Sequence, residues 1–157
     1  MSVHLVIPGR PRPGERAGTD PDGHRYSQPN TRAVQAAVAE AWTARPEPWR
    51  SPTLRGPVAV WVVAFYARPK RGHYLQDGGL TARGLRTPFP TSTKADLDNL
   101  SKPLLDGLTG LAWVDDHQVC ELHVLKRWCG PEGERTEVRI SPMQAPTADG
   151  LEAEAAA

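Results

Sequence analysis

The run PVAVWVVAFYA, from Pro57 to Ala67, decides how the rest of the chain is laid out. It is apolar at nearly every position and rich in valine. That is the pattern of a central strand, with neighbours on both edges and cover on both faces. Upstream, Ser2 to Ile7 alternates and is β-branched, which predicts a first strand ended by Pro8-Gly9. A basic, proline-stiffened segment (Arg10-Pro-Arg12-Pro-Gly-Glu-Arg16) and a polar loop lead to Pro29. With Asn30 or Thr31 as cap, Val34, Ala37, Val38, Ala41 and Trp42 recur at helical spacing up to Pro46.

Downstream of the central strand, residues 68–94 read as a long loop or helical insert. A helix follows within Lys94–Val119. Two strands, Gln118–Trp128 and Glu134–Ile140, are joined by the turn Gly130-Pro-Glu-Gly133. The order β-α-β-(loop)-α-β-β specifies an α+β domain: a small mixed β-sheet with two main helices, over residues 1–142. Residues 143–157 form an acidic, alanine-rich tail whose composition predicts disorder.

A chain of 157 residues fits one domain with a moderate core. No apolar run approaches the roughly 20 residues that a bilayer span needs, and the N-terminus lacks the order of a secretory signal. A cytoplasmic location in a bacterial or phage setting is expected. Cys120 and Cys129 do not make a disulfide framework. The net charge of +1 hides a basic surface. Without the three acids of the last ten residues, 19 Lys and Arg face 15 Asp and Glu. That balance suits a polyanionic partner without requiring one.

The chemistry concentrates in KADLDNLSKPLLDGLTGLAWVDDHQV, Lys94 to Val119. Asp96 and Asp98 precede an apolar helix (Leu100, Leu104, Leu105, Leu108, Leu111), and Asp115 and Asp116 follow it. If Ala95–Asp98 is extended, the carboxylates of Asp96 and Asp98 point the same way, with Cβ atoms roughly 6.5–7 Å apart. Asp98 then caps the helix. Lys102 and Asp106 continue the same helix face at i+4 and i+8. A chain that doubles back after the helix brings both acidic pairs to one point, where close carboxylates require a cation. All-oxygen ligands select Mg²⁺, with Mn²⁺ as the alternative, over zinc. Such a cation serves phosphoryl chemistry, and Lys102 suits neutralisation of the transition state. The competing reading makes the four aspartates turn and cap residues.

The pattern D-x-D-N-L-x-K, then Leu-Asp-Gly-Leu, then W-x-D-D-x-Q-V resembles the RusA family of Holliday junction resolvases. The first strand ending in Pro-Gly and the following Arg-Pro-Arg agree with it, so the resemblance covers most of residues 3 to 140. It implies a Mg²⁺-dependent homodimeric endonuclease that cuts branched DNA by paired nicks. It also implies that Asp96, Asp98 and Asp116 are metal-binding aspartates, Asp115 their acidic neighbour and Lys102 the catalytic lysine. The basic loop 68–94 resembles an insertion where the family is shorter.

Arg10, Arg12, Arg16, Arg68, Lys70, Arg71, Arg83, Arg86 and Lys94 are the candidates for phosphate contacts, against the plainer reading of a solvated basic face. His117, Cys120 and His123 have a zinc-like spacing. On a strand, however, residues three apart face opposite sides, which excludes chelation. Two rival readings stand beside the resolvase. One is a nuclease for flaps or forks; the other is a non-catalytic branched-DNA-binding protein with a structural metal.

Overall fold

The apolar pattern of residues 57–67 becomes strand β4, Val58–Tyr66, at the heart of a four-stranded mixed sheet. The computed structural model describes residues 2–144 apart from 16, 27, 47–53, 92 and 94. The predicted tail therefore lies almost wholly outside the described residues. In chain order the elements are β1 (Val3–Pro8), the two-residue strands β2 (Gly18–Thr19) and β3 (Arg25–Tyr26), α1 (Pro29–Thr43), β4, α2 (Ala82–Arg86), α3 (Leu97–Leu108), β5 (Val119–Trp128) and β6 (Arg135–Pro142). A 3₁₀ turn, Asp116–Gln118, leads into β5.

The sheet order is β1-β6-β4-β5. β6 pairs antiparallel with both β1 and β4, whereas β5 pairs parallel with β4, from Val58↔Val119 to Tyr66↔Trp128. The sheet is therefore mixed and the architecture α+β, as expected. β5 is left as an edge strand.

Helices α1 and α3 cover one face of the sheet. They bury Val34, Val38, Trp42, Leu104 and Leu108 against Leu5, Val58, Val60, Val62, Val138 and Ile140. At Gly107 the helices approach so closely that a Cβ would stand 3.2 Å from the Cα of Gln35 and 3.3 Å from the Cβ of Val38. A smaller cluster of Ala64, Tyr66, Ala95 and Leu100 closes the core under the start of α3.

Two local expectations change and one open alternative is settled. The first helix starts at Pro29 with Gln28 as cap, not at Asn30 or Thr31, because Pro takes the first helical position without losing a hydrogen bond. The polar loop contains the β2–β3 hairpin. Within residues 68–91 the helical-insert alternative holds in short form: a turn bridging Tyr74 and Leu80, then α2 capped by Thr81, whose hydroxyl accepts from the Gly84 amide at 3.0 Å. No helix among the described residues is long and apolar enough to cross a membrane.

Candidate active site

Asp96, not Asp98, is the N-cap of α3. Asp96 is extended (φ −76°, ψ 153°) and its carbonyl accepts from Leu100 at 3.0 Å, so the helix begins one residue after it. Asp98 consequently sits in the first turn and not on an extended segment, and the side-by-side spacing expected for a strand does not apply. The Asp96 carboxylate makes no capping bond, and both side chains are exposed. Two carboxylates with unfilled oxygens thus stand at the positive end of a helix dipole, a favourable place for negative charge.

Lys102 follows Asp98 by one turn. Its ammonium lies 3.6 Å from Asp106 Oδ1, with the lysine side chain 77% exposed. So exposed a pair is weak and releases the lysine readily.

Pro103 interrupts the helical bonding, as its lack of an N–H requires. The freed Asn99 carbonyl accepts instead from the Gly14 amide at 2.6 Å. A Cβ at residue 14 would come within 3.0 Å of the Pro103 ring. Through this contact the Arg10–Arg12 segment is laid against the first turns of α3. Arg10 and Arg12 are exposed there, and both line a cavity of about 240 Å³ bounded by β1, α1 and α3.

Lys126 holds the other side. Its Nζ donates to the Ala95 carbonyl at 2.9 Å and to Thr93 Oγ1 at 3.3 Å, fixing the segment that carries Asp96. Sequence reasoning passed over it. The signal was a lysine in the inward register of β5, between Val124 and Trp128.

Asp115 and Asp116 occupy the other end of α3. Asp115 Oδ1 accepts from the His117 amide at 2.9 Å. That bond sets the Asp115 carboxyl below the usual carboxylate range; desolvation opposes it, and the His117 charge and hydrogen bonds with Asp116 and the His117 ring add to the lowering. Ligand atoms of Asp115, Asp116 and His117 lie within 4.8 Å of one another. Gln118, present in the motif but given no role, organises the turn. Its Oε1 accepts from the amides of Val114 (2.8 Å) and Asp115 (3.2 Å), while its Nε2 donates to the carbonyls of Leu54 (2.9 Å) and Gly56 (2.8 Å). Trp113, fully buried, packs beneath the turn with its Nε1 on Thr109 Oγ1.

The two acidic pairs do not meet within one chain. α3 runs the length of the sheet: Ala95 and Leu100 pack with Ala64 and Tyr66 at the end of β4, whereas Leu54 N bonds Ala112 O just before its start. The 12-residue helix between the pairs is about 18 Å long. After it the Asp115–Asp116 turn stays at that far end, and only the last residues of β5 come back to the Asp96 end, where Lys126 meets Ala95.

Of the basic candidates, Lys70, Arg71, Arg83 and Arg86 are exposed. Arg68 is half-buried; its Nη1 donates to the carbonyls of Gly84 (2.8 Å) and Thr87 (3.0 Å), and its guanidinium lies 5.0 Å from the Trp128 ring centre. Arg16 and Lys94 lie outside the described residues. Cys120 is exposed.

The sequence profile described as "Endodeoxyribonuclease RusA" matches residues 8–141. The chain belongs to the RusA family. The match takes in every described element from the end of β1 to β6, including the 68–94 segment, and the family's chemistry is endonucleolytic cleavage of DNA. A Bacillus subtilis (strain 168) protein named "Uncharacterized protein YqaN" is 32% identical over 145 residues, which cover 89% of this chain and 92% of that protein. Both acidic pairs are on the surface.

Proposed function

We propose that this protein is a Mg²⁺-dependent, structure-selective endodeoxyribonuclease that resolves Holliday junctions or similar branched DNA by paired nicks, working as a homodimer. The observation that carries the reading is the exposed trio Asp96, Asp98 and Lys102 on the first two turns of α3, in a chain of the RusA family. The donor set fits Mg²⁺: Asp96 and Asp98 at one end of α3, and Asp116 with Asp115 at the other, are all carboxylates. When bound, the cation lowers the pKa of an attacking water and shields charge on the scissile phosphate. Asp96, Asp98 and Asp116 hold it. Lys102, freed from Asp106, sits beside the phosphate and offsets the negative charge that grows in the transition state. Arg10 and Arg12, fixed against α3 by the Gly14–Asn99 bond, lie where the flanking backbone passes.

One ion cannot reach both ends of a helix about 18 Å long, so the centre is completed by a second copy. β5 is the open edge of the sheet and exposes Leu122 and Leu125. Pairing of two β5 strands about a two-fold axis near their middle is antiparallel, and it brings the Asp115–Asp116 turn of one protomer to the Asp96–Asp98 end of its partner. Two centres, one for each strand cut, follow from the symmetry.

The test is incubation of the protein with synthetic four-way, flap and linear duplexes, with Mg²⁺ or with EDTA, alongside Asp98→Asn. Paired nicks near the branch of the four-way substrate, lost with EDTA and in the variant while junction binding persists, are expected. Asp98 is exposed, so the melting temperature should hold. A large fall in melting temperature with EDTA or in the variant, and no cleavage by the native protein, would identify a structural metal in a DNA-binding protein. Preference for the flap would identify a flap or fork nuclease.

A further inference from the structure

We propose that residues 68–91 form a rigid wedge that inserts at the branch point of the DNA, with Leu85 and Phe89 against the exposed base pairs and Arg83 and Arg86 on the flanking phosphates. The inference rests on the branched-DNA reading above and gives the segment a role within it.

The segment is held as a fixed body. Besides the two carbonyl bonds from Arg68, the Trp128 Nε1 donates to the Thr87 carbonyl at 2.8 Å. His73 is buried, edge-on to Trp128, with Nδ1 3.4 Å from Thr87 Oγ1. Any side chain at Gly84 would overlap the His73 carbonyl oxygen, so α2 is seated directly on the turn beneath it. A segment this well tied can transmit force to what it touches.

What it presents outward is unusual for a solvated loop. Leu85 is 67% exposed and Phe89 51%, and exposed arginines bracket Leu85 on α2. The Arg127 guanidinium lies 5.1 Å from the Phe89 ring centre. Across residues 68–91 five Lys and Arg face the single acid Asp77. Such a surface selects a partner that is polyanionic and also offers apolar area. Linear duplex supplies only the first, because its bases are stacked inside. A branch point supplies both, since crossing strands leave the ends of the base stack open to apolar wedges.

An acidic protein surface would also match, and the place of attachment decides against it. The segment leaves the sheet at Tyr66 and re-enters through Thr93 and Ala95, clamped by Lys126, directly into Asp96. Six residues lie between Phe89 and Asp96, a path of seven Cα–Cα steps. The wedge therefore stands at most about 25 Å from the acidic pair, or roughly seven nucleotides.

The experiment compares the native protein with Leu85→Ser/Phe89→Ser, both side chains being exposed enough to change without loss of fold, as equal melting temperatures would verify. Binding is measured in EDTA to a four-way junction with 2-aminopurine at the branch, to the linear duplex of the same sequence, and to polyglutamate. The native protein should raise the 2-aminopurine fluorescence by unstacking it and should prefer the junction. The variant should lose the fluorescence change and about tenfold or more of its junction affinity, with duplex affinity altered less than about twofold. Equal losses on both DNAs, an unchanged junction preference, or native binding to polyglutamate in place of the junction overturns the wedge. The same preparations are assayed with Mg²⁺. Cutting by the native protein together with an intact preference in the variant rejects the wedge and leaves the nuclease standing. Failure of the native protein both to bind and to cut branched DNA rejects the two together.

Discussion

Tyr66 closes β4 beneath the start of α3, its hydroxyl sealed from solvent without a hydrogen-bond partner among the described residues. Burial pushes its pKa up to about 12, with Arg10 pulling it down and Glu134 pushing it up. A folded-state value above the ordinary 10 favours folding while the phenol is protonated. That contribution is complete below pH 10 and is lost as pH rises toward 12, to the extent of roughly 2–3 kcal/mol. Tyr66→Phe should therefore raise stability at neutral pH by about 1–3 kcal/mol, since an unpaired buried hydroxyl is removed. It should also move the alkaline unfolding midpoint upward; urea melts at pH 7.5 and a pH titration by circular dichroism read both. Legibility at this scale was mixed. The residue types of the site stood in the D-x-D-N-L-x-K pattern, but the two-residue difference between Asp96 and Asp98 as cap was not visible, because Asp serves well at either position. Gln118 and Lys126 act through hydrogen bonds to distant backbone, and no local pattern records such partners.

Strands β4, β5 and β6 were readable to within a residue or two because runs of β-branched residues have few other uses. The β2–β3 hairpin was not: strands two residues long carry no periodicity. Pro103 signalled an interrupted helix, yet only the fold reveals that Gly14 takes over the vacant carbonyl. Packing between elements gives a sharper test at Gly107, where α3 meets α1 nearly backbone to backbone. Gly107→Leu forces the two helices apart and should cost about 1–3 kcal/mol in urea denaturation. Asp96, Asp98 and Lys102 stay on their own turns in that variant, so any residual folded fraction should keep junction binding.

For the molecule as a whole, the separation of the acidic pairs was implicit in the sequence, since a helix of three turns has a fixed length, but the direction of the returning strand was not. A parallel β4–β5 pair starts β5 at the end of the sheet remote from Asp96, so the Asp115–Asp116 turn that precedes it stays there. The consequence can be tested by mixing. Asp98→Asn and Asp116→Asn, each inactive alone, should regain cleavage when co-refolded, because a mixed dimer holds one centre with all its native carboxylates. That dimer should nick one strand and fail to make the paired cut, as read on a denaturing gel. A centre contained within each chain predicts no recovery at all.

The four bonds of the Gln118 amide bear on when the protein becomes able to cut. Two of them reach back more than 60 residues to Leu54 and Gly56, at the threshold of the central strand. A nascent or half-folded chain has not brought those partners together, so its Asp115–Asp116 turn has no defined shape. On the proposed assignment of that turn to the metal centre, competence to cut DNA waits until the sheet is complete.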